Sequence, residues 1–179
     1  YGANTVVSQH PVTGATYVTA VADTAGDDPL ARVHVVGGGG TTAGILHLLD
    51  AAGYEVTTGV LHEGDTDTAV ARQLGIEPIT VDPYTPIDAA AARRARSAVE
   101  AADVCIIGDI EVGSGNLPNL QILAAAPAVI STAERPFTER NFAGAAAARA
   151  WEGLTDRIIR ADPPELIGAV EAVTRDGSL

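Results

Sequence analysis

The sequence predicts an α/β fold: a Rossmann-like three-layer αβα sandwich on a mostly parallel sheet of about five strands, preceded by an N-terminal β-hairpin. Three observations carry that expectation. From residue 32 onward, short apolar runs alternate with segments of helical period. Two of those runs, Val33–Val36 and Val104–Ile107, are almost unbroken, as strands covered on both faces require. A glycine loop, Gly37-Gly38-Gly39-Gly40-Thr41-Thr42, joins the first run to a helical segment.

The elements follow in order. Thr5–Ser8 and Ala15–Val18 flank Pro11-Val12-Thr13-Gly14 and read as a hairpin. Ala22–Leu30 reads as a linker, so residues 1–30 form a tail and residues 31–179 the Rossmann-like domain. A chain that opens directly on a hairpin, with no Met, is expected to be a fragment of a longer one.

The first strand is 33–36. The helix after it spans about 42–52, because Ile45, Leu48, Leu49 and Ala52 share one face, and Gly53 ends it. A strand is predicted at about 55–61. A helix follows from Asp65 to Leu74, capped by Asp65 or Thr66 and stopped by Gly75. Pro78–Val81 is a short third strand, Pro83–Pro86 a loop, and Ile87–Ala102 an Ala/Arg-rich helix. The fourth strand is 104–107. A polar loop from Gly108 leads to a helix at about 118–125, and Ala128–Ser131 is the fifth strand. Helical segments at about 142–153 and 164–174 close the chain.

Composition bounds the function. The 179 residues, 46% hydrophobic, suffice for a domain of ordinary size with a real core. No apolar run reaches the roughly 18 residues needed to span a bilayer. Cys105 is alone, so no internal disulfide can form, which fits a reducing cytosol. The formal charge is −12, and all 11 basic residues are Arg. Such a surface repels nucleic acid and anionic lipid. An acidic, lysine-free surface is expected of a protein adapted to high salt, where screening removes most of the self-repulsion.

Ligands of parallel α/β sheets sit beyond the C-terminal strand ends, at the switch point. Four loops are expected to meet there: Gly37–Thr42, His62–Asp67, Gly108–Asn119 and Thr132–Phe137. In the first, Gly37, Gly38, Gly39, Gly40, Thr41 and Thr42 offer backbone N–H groups at a helix N-terminus, a cradle for phosphate or carboxylate. Gly38-x-Gly40-x-x-Ala43 fits the dinucleotide fingerprint in its Ala form, with Glu63 as the acidic residue about twenty-five positions on. The alternative is a tight strand-to-helix turn and nothing more.

The loop after the fourth strand supplies Asp109, Glu111, Ser114, Gly115 and Asn116. Ser114 and Asn116 donate to an anion; Asp109 and Glu111 accept from hydroxyls or hold a metal. Glu63 and Asp65, with Asp67, suit a ribose or a hard cation, although Asp there commonly caps the next helix. Arg135 and Arg140 stand near the expected crevice mouth. His10, His34, His47 and His62 have no partners at metal spacing, so no metal site is expected. No catalytic residue is assigned. Without Lys the chain cannot complete a Walker P-loop, so it is not expected to hydrolyse ATP alone.

Tyr1-Gly2, Val6-Val7, His10-Pro11-Val12-Thr13-Gly14 and Tyr17-Val18 resemble the end of the ATP-binding subunits of iron-siderophore and cobalamin ABC importers. That match covers about the first tenth of the chain. The remainder, with Gly37–Thr42, Gly115-Asn116-Leu117 and Arg135-Pro136-Phe137, resembles the C-terminal extension of haloarchaeal cobalamin-import ATP-binding proteins of the BtuD type. Walker A, Walker B and signature motifs have no matching positions here, so no catalytic residue carries over. The resemblance implies an accessory domain, regulatory or small-ligand-binding, of an importer ATPase. Its partners are then the permease and the ATPase domain, and its place the inner face of the cell membrane. It leaves the ligand open between a nucleotide and a corrinoid, with ATP bound only by the parent domain. Two alternatives stand beside it. One is a stand-alone enzyme acting on a nucleotide or small anionic metabolite. The other is a structural homodimerisation module, joined through the helix at 87–102 or Trp151.

Overall fold

Strand β3 (Arg32–Gly37) sits at the centre because its side chains are buried on both faces from Val33 to Val36. The computed structural model describes residues 4–9, 16–21, 31–60, 66–80, 88–108, 122–132, 149, 153–154 and 157–176. Strands β1 (Asn4–Gln9) and β2 (Thr16–Val21) pair antiparallel in a two-stranded sheet of their own.

The main sheet adds β4 (Glu55–Val60), β5 (Ile79–Thr80), β6 (Val104–Ile107), β7 (Val129–Ser131) and β8 (Ile158–Arg160) to β3. Its order is β5-β4-β3-β6-β7-β8, and every pairing is parallel. The chain therefore builds outward from β3 to one edge, returns, and builds from β6 to the other. The switch point lies between β3 and β6, which pair as Val33 with Val104 through Val36 with Ile107. The two apolar runs are therefore neighbours at the centre of the sheet.

Alternation along the strands divides the core in two. Val33, Val35, Val104, Ile106 and Ile130 pack with helix α1 (Gly39–Ala51), Ala71 of helix α2 (Thr66–Gln73) and helix α4 (Leu166–Asp176). Val36, Cys105, Ile107 and Val129 pack with helix α3 (Ala89–Ala101) and with Ile122, Leu123 and Leu154. That is the three-layer αβα arrangement. Leu46, Leu49, Ile106 and Ile130 have no exposed surface. Each such side chain contributes about 1.5–3 kcal/mol of burial.

The sheet has six strands, one more than expected. The addition is β8, three residues at an edge, whose Ile158 and Ile159 are only half-buried. Helix α1 begins at Gly39, about three residues before the predicted start. Two consecutive glycines carry no apolar period, so the pattern cannot mark the first turn. Helix α3 starts where Asp88 caps it; the Ala91 N–H donates to the Asp88 carboxylate at 2.9 Å. The linker, the loop at 83–86, Trp151, the first half of the helix predicted at 118–125 and most of that predicted at 142–153 lie outside the described residues.

Candidate functional site

The switch point is built on the end of β3. Gly37 and Gly39 have positive φ, 154° and 75°, and Gly38 between them is extended and caps α1. Among the described residues, an added Cβ at Gly39 would meet no atom within 4 Å. Gly39 is therefore demanded by backbone conformation, with open space above it. The positive-φ pair falls one residue ahead of Gly38 and Gly40, the pair in the sequence fingerprint. In this frame Thr42, not Ala43, takes the position where the helix must come close to the sheet.

Thr42 is fully buried, and its Oγ1 donates to the Gly38 carbonyl at 3.3 Å. Across the switch point stands Gly108, the residue after β6, whose N–H donates to the Val36 carbonyl at 2.9 Å. A Cβ on Gly108 would lie 2.7 Å from Thr42 Oγ1. So β3, the glycine loop, α1 and the end of β6 lock together there. The first N–H groups of α1 face the same edge at which β4 and β6 end, because Gly37 pairs with Val60 and Val36 with Ile107.

Beside the loop, α2 brings a carboxylate into the interior. Asp67 and Thr68, in its first turn, are fully buried. The helix N-terminus favours that charge. In the sequence Asp67 reads as one of three acidic residues in a loop-to-helix segment, and nothing local in that segment signals its burial.

Gly37 to Thr42 are thus placed at the switch point, with Gly108 against them. Glu63, Asp65, Asp109, Glu111, Ser114, Gly115, Asn116, Arg135 and Arg140 lie outside the described residues. Among the described residues no group of three His, Cys, Asp or Glu is placed to hold a metal ion. No described helix is long and apolar enough to cross a membrane.

The buried titratable groups of the sheet stand in one row. His34 on β3 pairs with Thr57 on one side and Cys105 on the other. His34 Nδ1 lies 2.8 Å from Thr57 Oγ1. Burial lowers the His34 pKa to about 4, so the ring is neutral. Burial likewise pushes the Cys105 thiol up to about 12, with Arg157 pulling weakly the other way. Neither is a poised base or nucleophile near pH 7.

A family model, described as the MJ0874 family, matches residues 56–167, more than half of the chain. The chain belongs to the MJ0874 family. The matched segment runs from β4 into α4 and begins after the glycine loop. The cobalamin import ATP-binding protein BtuD from two strains of Halobacterium salinarum is 37% identical over 108 residues. That alignment covers 60% of this chain and 27% of BtuD, so this MJ0874-family chain matches about a quarter of its relatives' length. A dipicolinate synthase structure from Bacillus halodurans aligns with 86% of this chain and 45% of its own, at TM-score 0.48 and 22% identity. The Mycobacterium tuberculosis shikimate dehydrogenase structure aligns with 74% and 46%, at TM-score 0.47 and 18% identity.

Proposed function

We propose that this chain is an accessory, small-ligand-binding domain of an ABC importer ATP-binding subunit that serves corrinoid uptake. The observation that carries the reading is the 37% identity over 108 residues to a cobalamin import ATP-binding protein about four times the length of the aligned part. The tail at residues 1–30 is then the end of the ATPase domain, and 31–179 the appended domain. Through the parent chain the domain meets the permease and works at the inner face of the cell membrane. Its role is to sense a ligand, not to hydrolyse ATP.

The site for that ligand is the glycine loop. Its support is the parallel sheet with its switch point at β3 and β6, positive φ at Gly39, and open space above that residue. Backbone donors at a helix N-terminus suit an anion, which a nucleotide and a phosphate-bearing corrinoid both supply. On this reading Asp109, Ser114, Asn116, Glu63 and Asp65, which the sequence analysis assigns to loops after neighbouring strands, are further candidates for ligand contact.

The test is titration calorimetry of the folded chain with cobalamin, cobinamide and ATP. A saturable heat with a corrinoid, lost in Gly39→Val, supports the reading. Saturable binding of ATP alone moves the assignment to the nucleotide-binding alternative. No heat with any of the three at millimolar concentration overturns the ligand-binding role.

A further inference from the structure

We infer that helix α3 is an acid-released cover: uptake of a proton by His34 opens α3 from the sheet while the rest of the fold stays closed. The inference does not draw on the ligand site, which is built from the glycine loop and the start of α1.

His34 and Val36 point to the same side of β3, and Val36 packs in one cluster with Ala91, Ala95 and Val99 of α3. His34 is therefore buried on the α3 side of the sheet. Its ring leans on β4. Nδ1 and Thr57 Oγ1 share a hydrogen bond of 2.8 Å, and a Cβ added at Gly59 would stand 3.5 Å from Nε2. Thr57 is neutral, so it offers no counter-charge to an imidazolium. Among the described residues the charged and titratable groups nearby are few. Arg32, two residues back on the same strand, has its Nε 3.1 Å from Glu55 Oε2 of β4. Asp103, just after α3, accepts from the Arg32 N–H at 2.8 Å. Both carboxylates are thus engaged at the edge of the sheet. Cys105 on β6 is a neutral thiol, and Arg157 near it adds positive charge. The residues that α3 turns inward, Ala91, Ala95, Ala98 and Val99, carry no charge.

Those same residues hold α3 weakly. Three of the four are alanines, whereas α1 sets Ile45, Leu46 and Leu49 into the core on the opposite face. Burial and dispersion both grow with side-chain size, so α3 is the more loosely held of the two layers. Under its C-terminal half lies a cavity of about 80 Å³, lined by Arg32, Glu55, Thr57, Ala98, Ala101 and Ala102. Thr57 thus has the His34 ring on one side and this cavity on the other. Atoms lining a cavity have no partners across it, which lowers the work of lifting the helix further. Opening there brings water to Thr57 and to the ring bonded to it, and relieves the desolvation that keeps the ring neutral.

The sign follows from linkage. The closed fold holds the His34 pKa at about 4, and a hydrated ring returns to 6.5. Between those values the opened state binds a proton that the closed state does not, so a fall in pH favours opening. The open population should rise roughly twentyfold from pH 7 to pH 5.

Native-state hydrogen exchange of the full chain, followed by NMR at both pH values and in low urea, tests this. Amides of residues 94–101 in α3 are expected to be less protected than those of residues 45–51 in α1. Their exchange should depend less on urea, because a partial opening exposes less surface than global unfolding. Their protection should fall roughly twentyfold from pH 7 to pH 5. In His34→Gln, whose amide can still bond to Thr57 but does not titrate, that fall should vanish. Ala98→Leu leaves His34 untouched and fills the cavity, so it should raise α3 protection at both pH values. Equal protection and equal urea dependence in α3 and α1 would mean that α3 opens only with the whole fold, and overturn the inference. A fall that persists in His34→Gln, an α3 opening indifferent to pH, or Ala98→Leu without effect on α3 would each overturn it as well.

Discussion

Thr42 Oγ1 stands 2.7 Å from where a side-chain carbon on Gly108 would lie, so these two residues fix how closely α1 approaches the end of β6. Gly108 is not among the positive-φ glycines, and its requirement is for space alone. Thr42 cannot swing aside freely, because its hydroxyl is bonded to the Gly38 carbonyl and its surroundings are buried.

Gly108→Ala should therefore cost about 1–3 kcal/mol of stability, the usual penalty for overpacking a rigid site. Thr42→Ala removes the obstructing oxygen and should recover part of that loss in the double variant. Urea unfolding of the two single variants and the double gives the coupling. Strictly additive losses would show that the two side chains do not meet.

The acid limb of stability should belong partly to His34. Its folded pKa is near 4 and its unfolded value near 6.5. Between those values the unfolded chain holds a proton that the folded chain does not. Stability therefore rises with pH through this window and is lost as pH falls from 6.5 toward 4. The full contribution is about 3 kcal/mol. His34→Gln should show a shallower fall than wild type across that window, measured as the midpoint of urea unfolding against pH. Parallel curves for the two proteins would mean that the ring titrates alike in the folded and unfolded chain. Cys105 gives the alkaline counterpart: its folded pKa is raised, so its contribution fades as pH climbs above 9.

How far this was legible in the sequence depends on the range of the signal. The two central strands were readable because a strand covered on both faces must be apolar at successive positions, and Val33–Val36 and Val104–Ile107 are. The face of α1 was readable too: Ile45, Leu48, Leu49 and Ala52 are all buried. Strand β8 was not, because an edge strand of three residues that follows Arg157 and ends in Arg160 has no period to detect. At the site, the loop's place followed from the strand–glycine–helix order. Its frame did not, because four identical glycines do not say which one takes positive φ. The Thr42–Gly108 contact joins residues far apart in the chain and leaves no local trace. The burial of Asp67 is of the same kind.

Folding should depend on salt. At −12 with no Lys, the carboxylates repel one another over a Debye length of about 30 Å at 0.01 M. The melting temperature is expected to rise with KCl well beyond 0.15 M, followed by circular dichroism. A flat melting temperature from dilute buffer to molar KCl would remove the case for adaptation to high salt.

The sharpest test of the glycine loop uses its open space. Gly39 has φ of 75° and, among the described residues, nothing within 4 Å of an added Cβ, so a substitution there strains the backbone without a clash against them. Asn tolerates that conformation better than other residues with side chains, whereas Val, branched at Cβ, does not. Gly39→Asn should therefore lose well under 1 kcal/mol of stability, and Gly39→Val about 1–2 kcal/mol. Both place a side chain where a ligand would approach the N–H groups of α1. If the loop cradles an anion, both should bind the corrinoid or nucleotide identified by calorimetry at least tenfold more weakly, a loss of about 1.4 kcal/mol. If the glycines serve only to turn the chain, Gly39→Asn should bind as wild type and Gly39→Val should differ only in stability. Wild-type affinity in folded Gly39→Asn would thus reject the cradle while leaving the fold assignment untouched.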